Sequence, residues 1–408
     1  MSAESDRLLP RLPAGWITTP VRYATTCLDG KRVPLNVGER SSRQGDYPYW
    51  GANGIVDSVD EYLFDEPLVL LGEDGAPFFD KTKPVAFFVS ERVWVNNHIH
   101  VLRVAPRFDA RFVVHALNAT DYGSWIEGST RDKLTQDKMG SILLPTPPLR
   151  QQRAIADYLD HETARLDSLV AAKERVLGLL AEKRRALITR AVTRGLDPHA
   201  PLSDSGIPWL GEIPAHWETR RAAWLFRERD DRGEAHLPLL EVSINAGVVL
   251  REFSDERIES TAADFNTYKV ARQGDVAFNK MRMWQGAVGV APQDGLVSPD
   301  YVVAAPSGSL TPEYAGLLFR TSTFSAECAR RSHGIVWDRL RLYWEGFRDI
   351  ELPLPSADDQ RDIVAHIAKE TAKLDELRAA TERTIALLKE RRAALISATV
   401  TGRIQCLS

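Results

Sequence analysis

Two stretches of the chain place apolar side chains at seven-residue intervals. In the first these are Leu159, Leu166, Leu180 and Leu187, with Lys173 at the remaining register position; in the second they are Ile367, Leu374, Leu388 and Leu395, with Thr381. That period lays one apolar stripe along a helix. Glu, Lys, Arg and Ala fill the intervening positions, and Gly178 is the only internal glycine or proline, so each stretch predicts a long helix. About 38 residues rising ~1.5 Å each make a rod of roughly 57 Å. A rod with a single seam needs a second rod, and the chain supplies one. The eight named residues are therefore expected to pair the two helices, antiparallel if a two-fold axis relates the halves. The plainer alternative is two amphipathic helices in an ordinary helical protein.

The two stretches are also copies of one another. Residues 152–193 and 360–401 align without a gap, with 22 of 42 positions identical. A shorter echo precedes each: Pro13-Ala14-Gly15-Trp16 corresponds to Pro214-Ala215-His216-Trp217, and Leu144-Pro145 to Leu352-Pro353. The offset is 201 residues at the Pro-x-x-Trp elements and 208 at the helices, while the segments between them diverge almost completely. A repeat at this scale dictates the domain order: a domain over 1–148, a helical region over 149–195, a linker and second domain over 196–355, and a second helical region over 356–408. Within the first domain, 67–72, 85–90 and 100–106 read as strands; within the second, 275–280, 286–292 and 301–306 do. Weaker periodicity predicts helices over 109–121 and 312–329. The fold class expected is α+β, with two α/β domains separated by two long helices in an antiparallel coiled coil and a pseudo-two-fold internal repeat.

Composition narrows the class. A chain of 408 residues, 44% hydrophobic and 26% charged, has the makeup of a soluble multidomain protein. Three scattered cysteines without paired spacing argue against a disulfide framework or a structural zinc site. The opening residues lack a signal-peptide plan, and no apolar run approaches the roughly 18 residues a membrane helix needs. A cytoplasmic protein without membrane association is expected. The net charge of −4 excludes a simple polycation, so any DNA binding must rest on local patches or on a basic partner.

Enzyme signatures are missing. There is no glycine-rich dinucleotide turn, no phosphate-binding loop, no HExxH or GxSxG, and the one Pro-Pro, Pro147-Pro148, is followed by Leu149 and not by an aromatic residue. Asp29-Gly30-Lys31 has a carboxylate and a lysine at nuclease-like spacing but no second acid that the sequence places beside it; a turn is the simpler reading. Glu73-Asp74 reads as a turn after a strand. His98 and His100 alternate along a strand-like stretch as possible ligands without a third, so no metal site is expected. The divergent segments instead carry polar and cationic groups suited to base edges and phosphates. In the first domain these are Lys81, Lys83, Asn96, Asn97, His98, Ser129, Thr130, Arg131 and Lys133; in the second, Asn279, Lys280, Arg282, Trp284, Gln285, Arg331 and His333. Each cluster alone would pass for a solvated surface, but comparable clusters occur in both domains.

The chain resembles the specificity (S) subunits of type I restriction-modification systems over essentially its full length. The resemblance is carried by PYWGANGIVDSVDEY (48–62), LVLLGEDGAPF (68–78), EGSTRDKLTQDKM (127–139), SGIPWLGEIPAHWE (205–218) and QGDVAFNKMRMW (273–284), with LPTPPLRQQRAIADYLD (144–160) and its counterpart LPLPSADDQRDIVAHIA (352–368). Ser356-Ala357-Asp358-Asp359 departs from the first copy's Pro147-Pro148-Leu149 at the start of the helix. The resemblance implies two target recognition domains, each reading one half of a bipartite site on double-stranded DNA, and helices that set the unread spacer. It also implies a non-catalytic chain that binds no cofactor itself. Two modification (M) subunits would use S-adenosylmethionine to methylate adenine, and two restriction (R) subunits would use ATP and Mg2+. The alternatives are a free-standing enzyme such as a nuclease, a coiled-coil scaffold that binds no DNA, and the same specificity role beside a combined methyltransferase-nuclease.

Overall fold

A computed structural model describes residues 12–126, 132–251, 265–334 and 340–404. Three of the named candidates, Ser129, Thr130 and Arg131, lie outside the described residues. The two long helices run over Leu149–Arg194 and Ala357–Val400, 46 and 44 residues, longer than the repeat itself suggests. Their limits have local causes. The first starts directly after Pro148, which has no N–H to leave unpaired. Both stop at a glycine in the left-handed region, Gly195 (φ 71°) and Gly402 (φ 73°). After the second helix, the Arg403 N–H returns to the Ala398 carbonyl at 2.8 Å, closing the turn.

The chain forms two compact units, residues 1–176 with 380–408 and residues 177–379, so each unit contains the beginning of one long helix and the end of the other. In the first unit, Arg392 pairs with Asp167 at 2.9 Å and Lys389 with Glu174 at 3.7 Å. The helices there run in opposite directions, since the later residue of one meets the earlier residue of the other. In the second unit Arg184 holds both oxygens of Asp375 at 2.8 Å. Exposed pairs like these contribute little. The buried seam does more: Leu159 shares a core with Ile396 and Val400 in the first unit, and Ile367 with Ala191 and Val192 in the second. Of the eight seam positions, Leu159, Leu166, Ile367 and Leu374 are buried, whereas Leu180, Leu187, Leu388 and Leu395 are half-buried.

In each unit a four-stranded antiparallel sheet backs onto this helix pair's core. The first has the order Thr25–Cys27, Ile99–Val104, Leu68–Gly72, Ala86–Val89. The second has the order Phe226–Arg229, Tyr301–Pro306, Val276–Asn279, Val288–Val290. All six strand runs expected from the sequence are strands. One inner strand of each sheet, Leu68–Gly72 in the first and Val276–Asn279 in the second, is buried along its whole length, and these central strands therefore read as largely apolar runs. The helix predicted over 109–121 spans Ala110–Ala119. The one predicted over 312–329 is two, Pro312–Phe319 and Ser322–Arg331, because the Thr321 hydroxyl accepts the Phe324 N–H and caps a new start.

The Pro-x-x-Trp elements act as joints. Trp16 donates its indole N–H to Gln151 at the start of the first helix (3.0 Å) and lies against Gly402 at the end of the second; Trp217 donates to Asp359 (3.2 Å) and lies against Gly195. One residue further along each helix a buried glutamine completes the joint. Gln152 accepts the Asp109 N–H (2.9 Å) and donates to the Pro147 carbonyl (2.8 Å). Gln360 accepts the Thr311 N–H (2.7 Å) and donates to the Pro355 carbonyl (3.0 Å). Asp109 and Thr311 are the N-caps of the helices that pack on the two sheets. Sequence divergence has therefore left the same hydrogen bonds at the same places.

Gly195→Ala and Gly402→Ala both carry a left-handed backbone penalty of roughly 1 kcal/mol. At Gly402 an added Cβ would also lie 2.3 Å from Pro13 Cγ, against 3.4 Å to the nearest neighbour at Gly195. Thermal melts should show the larger loss for Gly402→Ala; equal losses would mean that the Pro13 contact is not a constraint.

Candidate nucleic-acid interface

Each central strand ends in a turn built on the same backbone. In the first unit Gly72 leads into Glu73-Asp74, and the buried Leu134 donates its N–H to the Glu73 carbonyl at 2.8 Å. In the second unit Asn279 leads into Lys280-Met281, and the buried Leu342 donates to the Lys280 carbonyl at 2.9 Å. Strand registers agree: Gly72 faces Ile99 and Asn279 faces Tyr301, the first residues of the neighbouring strands. The frame is common, but the side chains it presents are acidic in one unit and basic in the other.

The first turn is a charge network. Arg32 reaches Glu73 at 2.6 Å and Asp29 at 3.4 Å, and Lys133 reaches Glu73 at 3.5 Å. His100, only 1% exposed, places Nδ1 2.6 Å from Asp29 and Nε2 2.9 Å from the Leu134 carbonyl, an acceptor that requires Nε2 to carry a proton. The Val101 N–H donates to the other Asp29 oxygen at 2.8 Å. Burial pushes the Asp29 carboxyl up, but the hydrogen bond and charge of His100, with help from Val101 and Arg32, outweigh it and hold the group below the ordinary aspartate value. Glu73 is thus the acidic neighbour of Asp29 that the sequence did not place. The histidines do not act together: His100 joins Asp29 and Glu73, while His98 pairs outside with Asp74 at 3.3 Å. Asp29, Glu73 and His100 could offer three ligand atoms to a cation, but Arg32 already bridges both carboxylates and would have to be displaced.

The other candidates of this unit gather at the same end of its sheet. Lys81 and Lys83 stand exposed in the loop joining Leu68–Gly72 to Ala86–Val89, Lys83 paired with Asp80 at 3.2 Å. Asn97 is exposed beside them in sequence order before strand Ile99–Val104. Asn96 has a structural task, its side-chain oxygen accepting the His98 N–H at 2.7 Å.

The second turn is open and cationic. Arg282 and Gln285 are exposed, and Trp284 is half-buried with its indole N–H on the Met281 carbonyl at 3.0 Å. His333 and Arg341 exchange backbone hydrogen bonds of 2.9 Å beside it. Lys280 leans on the Pro299 carbonyl at 3.4 Å. Two candidates are structural instead: Asn279 is buried and accepts the Met281 N–H at 2.9 Å, and Arg331 bonds Glu327 at 2.9 Å. A cleft of about 890 Å³ adjoins the turn, bordered by Arg184, Asn245, Trp284, Gln285, Arg320 and Ser325. Burial presses the Arg320 guanidinium down, and the charge of Arg184 on the same cleft adds to it. Arg32, Arg341 and Arg320 escaped the sequence reading because each reaches its turn from a distant segment. The 208-residue offset, which pairs Leu134 with Leu342, was the available signal for Arg341.

Replacing Asp29 with Asn removes a carboxylate whose value is depressed in the folded state. The stability it contributes is present above the unfolded aspartate value of about 3.9 and is lost as pH falls through the lower folded value. Denaturant unfolding should show Asp29→Asn weaker than the parent by about 1–3 kcal/mol at pH 7, the gap narrowing below about pH 4. A gap that persists unchanged at pH 3 would contradict the network.

Residues 29–176 match the sequence profile of the type I restriction modification DNA specificity domain. A putative type I restriction enzyme specificity subunit of Haemophilus influenzae is 32% identical over 159 residues, spanning 39% of this chain and 40% of that protein. The EcoKI specificity subunit of Escherichia coli K12 is 22% identical over 409 residues, covering 90% of this chain and 84% of its own. Among solved structures, a chain from a study of complex assembly and conformational transition in the type I R-M system shares the fold with a TM-score of 0.62 at 16% identity, over 97% of this chain and 100% of that one. Among the described residues no helix is long and apolar enough to cross a membrane.

Proposed function

We propose that this chain acts as a specificity subunit of a type I restriction-modification system, in which the turn after each central strand reads one half of a bipartite DNA target. The observation that carries this is the pairing of an identical backbone frame with opposite side-chain chemistry, Glu73-Asp74 in one unit and Lys280 to Gln285 in the other. A shared frame presents each turn to a duplex in the same way; different side chains then select different bases. Arg282 and Gln285 suit guanine and adenine edges in the major groove, and carboxylates accept from the cytosine amino group. Lys81, Lys83 and Lys133 provide phosphate contacts that set position without sequence content.

The chain supplies recognition and its partners supply chemistry. Two modification subunits carrying S-adenosylmethionine and two restriction subunits using ATP and Mg2+ complete the assembly in the cytoplasm, and basic surfaces on those partners offset the net charge of −4. The paired helices act as the spacer between half-sites and as a platform for the modification subunits.

Arg282→Ala should cost about 1–3 kcal/mol of DNA affinity and relax one half of the target only. Single-molecule mapping of N6-methyladenine in cells expressing the complex reads this directly; relaxation of both halves, or of neither, would refute the assignment. Inserting four residues, about one turn, into each long helix should lengthen the unread spacer with both half-sites kept. The same mapping would reject the spacer role if the spacing held while a half-site changed.

A further inference from the structure

Immediately after each joint the chain makes a single helical turn, Val21–Ala24 in the first unit and Ala222–Leu225 in the second, 201 residues apart. The turns are clamped alike. Val21 donates to the Ile142 carbonyl (2.9 Å) and Ala222 to that of Ile350 (2.8 Å); Ala105 donates to the Ala24 carbonyl (2.9 Å) and Ser307 to that of Leu225 (2.8 Å). The first and last residues of each turn are buried. The third is a large aromatic held out in solvent: Tyr23 is 60% exposed and Trp224 is 75% exposed. A cation accompanies each, Arg22 with its guanidinium 5.2 Å from the Tyr23 ring centroid and the exposed Arg221 three residues before Trp224.

One exposed aromatic needs no explanation. Its recurrence does, because it falls at the same clamped position of two segments whose sequences otherwise diverge. A group that read DNA would be free to differ between units, as the turns at the strand ends do. A group that met the same partner twice would not. The strand order separates the two roles further. Ala24 bonds Ala105 at one end of strand Ile99–Val104, whereas Glu73 bonds the His98 carbonyl at the other. Seven residues at ~3.3 Å each place these ends roughly 23 Å apart. The second unit repeats this, with Leu225 bonded to Ser307 just after strand Tyr301–Pro306 and Asn279 facing Tyr301 at its start. Within each unit, then, the aromatic stands at the far end of the sheet from the proposed reading turn.

We propose that Tyr23 and Trp224 are two copies of one protein-docking point, each entering an apolar pocket with an acidic rim on one copy of the same partner. Buried Tyr, Trp and Arg anchors are the side chains that concentrate binding energy in protein interfaces. The rim carboxylates would meet Arg22 and Arg221. The inference rests on the specificity-subunit reading and assigns the partner as the methylating subunit, bound once per unit.

The test uses the full chain mixed with a candidate type I modification subunit from the same source, with complex mass measured by native mass spectrometry and affinity by titration. Parent chain should bind two copies. Tyr23→Ala and Trp224→Ala should each weaken one site by about tenfold or more, and the double variant should weaken both. The exchanges Tyr23→Trp and Trp224→Tyr should retain two copies, and the melting temperatures of all variants should match the parent, separating docking from folding. A double alanine variant that binds two copies with parental affinity overturns the inference while leaving the recognition role intact. Loss of DNA affinity by the chain alone in that variant overturns it too, placing the aromatics on the duplex. A parent chain that recruits no modification subunit removes the functional reading beneath it.

Discussion

The structure depends on a tryptophan set where the start of one long helix meets the end of the other. A helix of 44 or 46 residues with one narrow apolar stripe can slide and rotate against its partner at small cost, since each half-buried leucine gains only part of its transfer energy. The indoles of Trp16 and Trp217 remove that freedom. Each hydrogen-bonds the first turn of one helix and packs beside the terminal glycine of the other, where an added Cβ would lie 3.4 Å from the ring. Gln152 and Gln360 carry the constraint inward. Being buried, each must satisfy its amide, and it does so on the cap of the helix that supports the sheet. Helix pair, cap helix and sheet are thereby set in one geometry by a few groups.

This arrangement explains how two domains with little sequence in common share a fold down to individual hydrogen bonds. The groups that hold the frame come from the repeated elements and the backbone. What varies is the side chains on strand-end turns, where the amides are already paired and substitutions do not disturb the ladder. The first unit fills its turn with a closed network of Asp29, Arg32, Glu73, His100 and Lys133. The second leaves Arg282, Gln285 and His333 to the solvent. Rigidity in one and accessibility in the other are both compatible with the same peptide scaffold.

Much of this was legible in the amino-acid sequence, for reasons that can be named. Central strands buried on both faces appear as apolar runs, and Leu68–Gly72 and Val276–Asn279 were found on that basis. The long helices were found from their seven-residue period, though not their full length, because the first turns at Leu149 and Ala357 belong to segments without that period. The break between Phe319 and Ser322 was hidden because Thr321 looks like any helical residue until its hydroxyl is seen to cap. The candidate site was legible in location more than in role. Asn96, Asn279 and Arg331 have the composition of base readers, yet each spends its polar atoms on its own neighbourhood. Asp29 and Glu73 meet only because two strand ends converge, a fact that linear spacing does not carry.

Pro13 packs on Gly402, so residues near the two extremities of the described chain touch within one unit, just as Pro214 and Gly195 do within the other, where an unbroken loop joins them. The same proline-on-glycine seat is thus filled in one unit by segments far apart in the chain and in the other by the two ends of a single short connection, so the seat itself is indifferent to how its halves are joined.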